Sequence, residues 1–157
     1  MNYFLKLFPY LSSILVESVL KINPLVDSVC IIAQSDQMYT AAVIVPDKDN
    51  LSKLSKEIGK YGFSVAELCQ DNAVKQAFCD RLSKYGISMG LQKFEVPKKI
   101  ALCLDEWTPE SGLVTAAMKL KRKELENYYS NDIKQMYMPN YVEQVNNAFK
   151  NCKVSPA

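Results

Sequence analysis

Two runs, Val26-Asp27-Ser28-Val29-Cys30-Ile31-Ile32-Ala33 and Tyr39-Thr40-Ala41-Ala42-Val43-Ile44-Val45, stand either side of the polar stretch Gln34 to Gln37. β-branched and apolar residues dominate both runs, and the polar connector between them is the right length for a chain reversal. They predict a β-hairpin, Val26 to Ala33 against Tyr39 to Val45.

Upstream, Leu11, Ile14, Leu15, Val19 and Ile22 recur at helical spacing, so Leu11 to Lys21 reads as an amphipathic helix ended by Asn23-Pro24. Downstream, Leu51, Leu54 and Ile58 mark one face of a helix that Gly59 stops and that Asp47 or Asp49 caps. Ser64-Val65-Ala66-Glu67 is a capping box, with Phe63 and Leu68 placed as a hydrophobic staple, and it opens a short helix. The next helix carries Val74, Phe78, Leu82 and Tyr85 on its apolar face and is expected to end at Gly86. Lys98 to Leu104 alternates as a strand after Pro97, and Trp107 to Gly112 is turn-rich. Lys121 to Tyr129 and Asn131 to Tyr137 form two more helices, the second stopped by Pro139.

This order predicts an α+β fold, a small, mostly antiparallel sheet covered by helices on one side. Residues 1–10 read as a divergent N-terminal segment and residues 11–138 as one domain. Residues 139–157, with no periodicity beyond Tyr141, Val145 and Phe149, read as a mobile tail.

Composition excludes several functions. The 157 residues include no histidine, which rules out Ser-His and Cys-His triads and His-ligated zinc. A net charge of +2, from 19 basic and 17 acidic residues, does not favour nucleic acid. Five cysteines, Cys30, Cys69, Cys79, Cys103 and Cys152, contain no C-x-x-C pair and suit reduced, buried thiols in a cytosolic setting. Met1 to Leu20 is apolar enough to resemble a signal sequence. Pro9 and Glu17 interrupt it, no small-residue cleavage pattern follows, and it falls short of the roughly 18 uncharged apolar residues of a membrane span. With five glycines, at 59, 62, 86, 90 and 112, neither G-x-G-x-x-G nor a Walker-type loop occurs. The adjacent acids Asp105 and Glu106 point apart on an extended chain and belong to a solvated loop.

The most informative stretch is Trp107-Thr108-Pro109-Glu110-Ser111-Gly112-Leu113-Val114-Thr115-Ala116-Ala117-Met118-Lys119-Leu120-Lys121-Arg122-Lys123-Glu124-Leu125. It resembles the closing signature of the long-chain acyl-CoA synthetases (long-chain fatty-acid–CoA ligases) of the adenylate-forming, AMP-binding superfamily. Asn23-Pro24-Leu25-Val26-Asp27, Val43-Ile44-Val45-Pro46 and Phe94-Glu95-Val96-Pro97 extend the similarity, which spans Tyr10 to Tyr137.

The resemblance implies the C-terminal domain of such an enzyme. There a fatty-acid carboxylate attacks the α-phosphate of ATP to give acyl-adenylate, and the thiol of coenzyme A then displaces AMP. Lys119 matches the lysine that enters the adenylation site and is the implied catalytic residue. An ammonium on a flexible stem suits a place where carboxylate and phosphate oxygens crowd together. ATP, magnesium and coenzyme A are the implied cofactors of the full-length enzyme. The implied partner is the N-terminal AMP-binding ligase domain, and the implied setting is cytoplasmic or the cytosolic face of the endoplasmic reticulum or mitochondrial outer membrane.

Composition alone would make Lys119, Lys121, Arg122 and Lys123 a solvated basic helix face, the commoner use of such runs. The long flanking match moves only Lys119 out of that reading. Lys121, Arg122 and Lys123 are expected as surface or interface charges, and Trp107, Tyr128 and Tyr129 as packing residues.

Other features depart from the family pattern. Tyr10-Leu11-Ser12 fits it, but Phe8-Pro9 stands where a Gly-Glu pair belongs, and Met1 to Leu7 does not resemble the family's Asp-Arg-Lys-rich hinge. The large N-terminal domain is missing, so the chain is expected to be inactive alone and to expose the surface that would face that domain. The alternative reading is a non-catalytic binding or regulatory module derived from the same domain.

Overall fold

A computed structural model of the chain describes the backbone of residues 3–138 and the side chains of residues 12–138. The tail expected over 139–157, and Cys152 within it, lie outside the described residues.

The hairpin forms as expected. Strand β1, Val26–Ile32, pairs antiparallel with β2, Ala41–Pro46, placing Val29 opposite Ile44 and Ile31 opposite Ala42. Strand β3, Lys99–Leu102, joins the other edge of β2 in parallel, giving the order β1-β2-β3. The α+β class therefore stands, with a mixed sheet. The parallel partner follows from the connection, because β2 and β3 are separated by three helices that carry the chain back to the same end.

Those helices are α2, Lys48–Glu57; α3, Val65–Gln70; and α4, Asn72–Ser88. Asp47, rather than Asp49, caps α2 by accepting from the Asn50 N–H at 2.9 Å. The Ser64 box closes in both directions: Glu67 N–H donates to Ser64 Oγ, and Ser64 N–H donates to Glu67 Oε2 at 2.7 Å. Phe63 remains half exposed beside the Lys60 ammonium, while its expected staple partner Leu68 is buried.

The end of α4 and the cover of the sheet depart from expectation, for separate reasons. Gly86 does not end its helix. It lies inside α4, where an added Cβ would stand 2.9 Å from Val96 Cγ1 and 3.1 Å from Leu91 Cδ1, so the missing side chain permits a close approach. Gly90, at φ 99°, takes the left-handed position beyond the helix end.

The sheet, in turn, is covered on both faces rather than one. Val29, Ile31, Ala42, Ile44, Ile100 and Leu102 pack against the first helix, α1, Tyr3–Leu20, and against α2 to α4. Their alternates Cys30, Ile32, Ala41, Val43, Val45 and Ala101 pack under α5, Arg122–Tyr128, and α6, Ser130–Tyr137. Strands buried on both faces are apolar without a polar alternate, as β2 is throughout.

The first helix, α1, runs from Tyr3 to Leu20, beginning before the expected Leu11. Its buried face is also not the expected one. Ser13, Val16, Glu17 and Leu20 are turned inward, while Ile14, Leu15 and Ile22 are exposed. Among the described residues no helix is long and apolar enough to cross a membrane.

Candidate functional site

Lys119 sits at the end of a tight loop whose two arms are fixed. Before the loop, Thr108 and Ser111 cap each other across a single 3-10 turn, Pro109–Ser111, which Gly112 ends at φ 77°. Leu113 and Val114 then dip into the second core layer and bury. Val114 bridges Leu120 on the returning arm, and the Lys121 N–H donates to the Leu113 carbonyl at 3.0 Å.

Within the loop, Thr115 holds the turn. Its N–H donates to the Lys119 carbonyl at 2.8 Å, its carbonyl accepts from Met118 N–H at 2.8 Å, and its Oγ1 accepts from Lys119 N–H at 3.1 Å. Met118 supplies the reversal at φ 61°, the one non-glycine residue with positive φ among those described. The backbone around Lys119 is thus closed on itself while the lysine side chain is exposed.

The loop, α1 and the outer edge of β1 enclose an open cavity of about 460 Å³. Ile14, Val29, Val114 and Met118 give it apolar walls, and Lys21 and Lys119 stand on its lining. Such a hollow suits a group that is apolar on one side and anionic on the other.

The other charges of the basic run separate. Lys121 and Lys123 are exposed, as expected. Arg122 is not a surface charge. Its Nη2 donates to Glu17 Oε2 at 2.6 Å, and the two side chains are 18% and 11% exposed. No local signal links them, since Glu17 and Arg122 lie 105 positions apart in sequence. The available hint was an acid on a helix face shared with Val16 and Leu20.

Trp107 is a packing residue as expected, buried and donating its indole N–H to the Tyr129 hydroxyl at 3.0 Å, whereas Tyr128 is exposed. Cys30, Cys69, Cys79 and Cys103 are buried free thiols. Burial, with the Glu17 charge as a smaller cause, pushes the Cys30 thiol up to about 12, which leaves it a neutral core residue. Among the described residues no group of three or more Cys, Asp or Glu side chains could hold a metal ion.

The fold recurs in solved structures. No family model matches the chain. The A-PCP didomain of carboxylic acid reductase from Segniliparus rugosus, in complex with AMP, superposes with a TM-score of 0.65 at 28% identity, covering 80% of this chain and 16% of that one. The adenylation domain of a carboxylate reductase from Mycobacterium chelonae gives 0.63 at 25%, covering 78% and 17%. The fold is that of the C-terminal domain of adenylate-forming enzymes.

Curated sequences narrow the class. Long chain acyl-CoA synthetase 8 of Arabidopsis thaliana is 36% identical over 128 residues, which are 82% of this chain and 18% of that protein. Long-chain-fatty-acid–CoA ligase 5 of Mus musculus is 34% identical over 128 residues, 82% and 19% respectively. The chain belongs to the long-chain acyl-CoA synthetase family. It spans less than a fifth of the length of these curated relatives.

Proposed function

We propose that this chain is the C-terminal part of an ATP-dependent long-chain fatty-acid–CoA ligase, and that Lys119 is the ammonium it brings to the adenylation step. The observation that carries the reading is the pairing of a backbone-locked loop with a free lysine side chain at its end. A preorganised cation of this kind stabilises the charge that develops as a fatty-acid carboxylate attacks the α-phosphate of ATP. Coenzyme A then displaces AMP from the acyl-adenylate to give the thioester.

The phosphate-binding, magnesium-binding and acyl-chain groups would come from an N-terminal AMP-binding domain. This chain by itself is therefore inactive in ligation. The exposed apolar side chain of Ile14, which shares the cavity with Lys119, and that of Leu15 next to it in sequence support a surface that another domain covers. Buried free thiols at Cys30, Cys69, Cys79 and Cys103 suit a reducing, cytosolic setting.

The test joins this domain to the N-terminal domain of a related ligase through an intact hinge. Lys119→Ala slows acyl-adenylate formation by about 10²–10³. It leaves thioester formation from ready-made acyl-adenylate near the unmutated rate. Lys121→Ala, which removes a solvated charge from the same segment, changes neither step appreciably. Equal losses for Lys119→Ala and Lys121→Ala, or equal losses in both half-reactions for Lys119→Ala, would overturn the assignment.

A further inference from the structure

We infer that Glu17 and Arg122 are positioning residues for Lys119, because together they occupy the open edge of β1 as a neighbouring strand would and so anchor the base of the lysine loop. The inference rests on the reading of Lys119 given above.

β1 is an edge strand, and an edge leaves backbone donors and acceptors without ladder partners. At Ile31 both groups on that edge are taken by side chains. Glu17 Oε1 accepts from the Ile31 N–H at 2.8 Å, and Arg122 Nη1 donates to the Ile31 carbonyl at 3.3 Å. The cycle closes through Arg122 Nη2 and Glu17 Oε2 at 2.6 Å. Carboxylate and guanidinium thus present one acceptor and one donor to a single residue, the pattern a paired strand would offer. The same guanidinium Nη1 also lies 3.8 Å from Cys30 Sγ.

Arg122 is the first residue of α5, and the residues just before it belong to the returning arm of the loop. Leu120 bridges Val114 and Lys121 N–H donates to Leu113, so a guanidinium held against β1 fixes both arms at their base. Glu17 brings in α1, whose Ile14 and Ser18 line the cavity that Lys119 borders. One closed hydrogen-bonded cycle therefore ties the first helix, the edge strand and the lysine loop. Because the pair is largely buried, removing either side chain leaves the other's charge without its partner away from water.

The test uses the 157-residue chain, labelled with nitrogen-15, and follows amide hydrogen exchange by NMR. The loop reporters are Thr115, Met118, Lys119 and Lys121, whose N–H groups are hydrogen-bonded within the loop, and the remote reporters are Leu54 in α2 and Phe78 in α4. Arg122→Met raises exchange of the loop amides by about tenfold or more, a local opening, with the remote amides changed less than about twofold. Arg122→Lys, which keeps the charge for Glu17, recovers part of that protection. Glu17→Gln keeps an acceptor for Ile31 N–H but loses the charge, and gives an intermediate rise confined to the loop.

Unchanged loop amides in Arg122→Met would overturn the inference, as would a rise shared equally by Leu54 and Phe78. Should Arg122→Met fail to fold, Glu17→Gln decides by the same criterion. None of these readouts depends on catalysis, so the positioning role and the adenylation role of Lys119 fail separately.

Discussion

The indole N–H of Trp107 donates to the hydroxyl of Tyr129 at 3.0 Å, with both side chains buried and their ring centroids 6.2 Å apart. Trp107 lies before the lysine loop and Tyr129 at the junction of α5 and α6, so this bond joins the segments on either side of the loop. Burial pushes the Tyr129 hydroxyl above its usual range, which keeps it a neutral acceptor across the accessible pH range.

Tyr129→Phe leaves the Trp107 donor buried without that acceptor, and the chain loses about 1–3 kcal/mol of stability. Urea unfolding followed by Trp107 fluorescence measures it. The exposed neighbour serves as control, and Tyr128→Phe stays within about 0.5 kcal/mol of the parent. Equal midpoints for Tyr129→Phe and the parent would show that the bond contributes nothing net.

A second prediction concerns Gly86. In an exposed helix, alanine in place of glycine stabilises by roughly 0.5–1 kcal/mol. Here the new methyl meets Val96 Cγ1 at 2.9 Å and Leu91 Cδ1 at 3.1 Å. Val96 is β-branched and buried, so it yields poorly, and overpacking costs roughly 1–3 kcal/mol. Gly86→Ala therefore destabilises on balance, and adding Val96→Ala recovers part of the loss. A stabilised single variant in thermal unfolding would refute the close-approach reading.

The same glycine marks where sequence stops being legible. A helix-ending glycine and a close-approach glycine are one letter, and only the position of Val96 separates them. Local chemistry was readable: the Ser64 box, a cap at Asp47 or Asp49 and the hairpin depend on residues near one another. The parallel pairing of β3 and the Glu17 cycle depend on contacts between distant segments, which spacing does not encode. Cover on both faces was encoded, in the unbroken apolar run Ala41 to Val45, but a hairpin is ordinarily read with one wet face. The site divides likewise. Lys119 was singled out only through a resemblance over a long run, and Thr115 lies within that run. Arg122 stood in the same run and still looked like a surface charge, because its partner is in the first helix.

Burial also sets the response to alkaline pH. It is the main cause that pushes the Cys30 and Cys103 thiols up to about 12 and that of Cys79 up to about 11, from an ordinary 9.0. Above pH 9 the unfolded chain ionises these thiols while the folded chain keeps them protonated, so the unfolded state holds fewer protons. Stability is then complete below pH 9 and falls as pH rises toward 11 to 12. The slope is at most about 1.4 kcal/mol per pH unit for each thiol. Urea midpoints at pH 8 and pH 10 check this, and the double variant Cys30→Ala with Cys103→Ala has the shallower dependence. An equally steep fall in the double variant would assign the effect to other groups.

The last prediction tests how the lysine loop is aimed. Thr115 and Lys119 are joined by two hydrogen bonds, which requires the chain to reverse between them, and Met118 at φ 61° makes the reversal. A left-handed conformation costs an ordinary L-residue roughly 1–2 kcal/mol. Glycine adopts it freely but gives the unfolded chain more entropy, an opposing effect of about 0.4–1 kcal/mol. Since the Met118 side chain is 53% exposed, little packing is lost on truncation. Met118→Gly therefore ranges from neutral to about 1 kcal/mol more stable. Met118→Val places a β-branched residue at positive φ, which the backbone tolerates worst, and costs about 1–2 kcal/mol or flips the loop. Joined to a related N-terminal ligase domain, the glycine variant keeps acyl-adenylate formation near the parent rate, and the valine variant slows it. The discriminating measurement is the order of the two. If valine matched glycine in unfolding midpoint and in adenylation rate, the left-handed turn at Met118 would not be what presents Lys119.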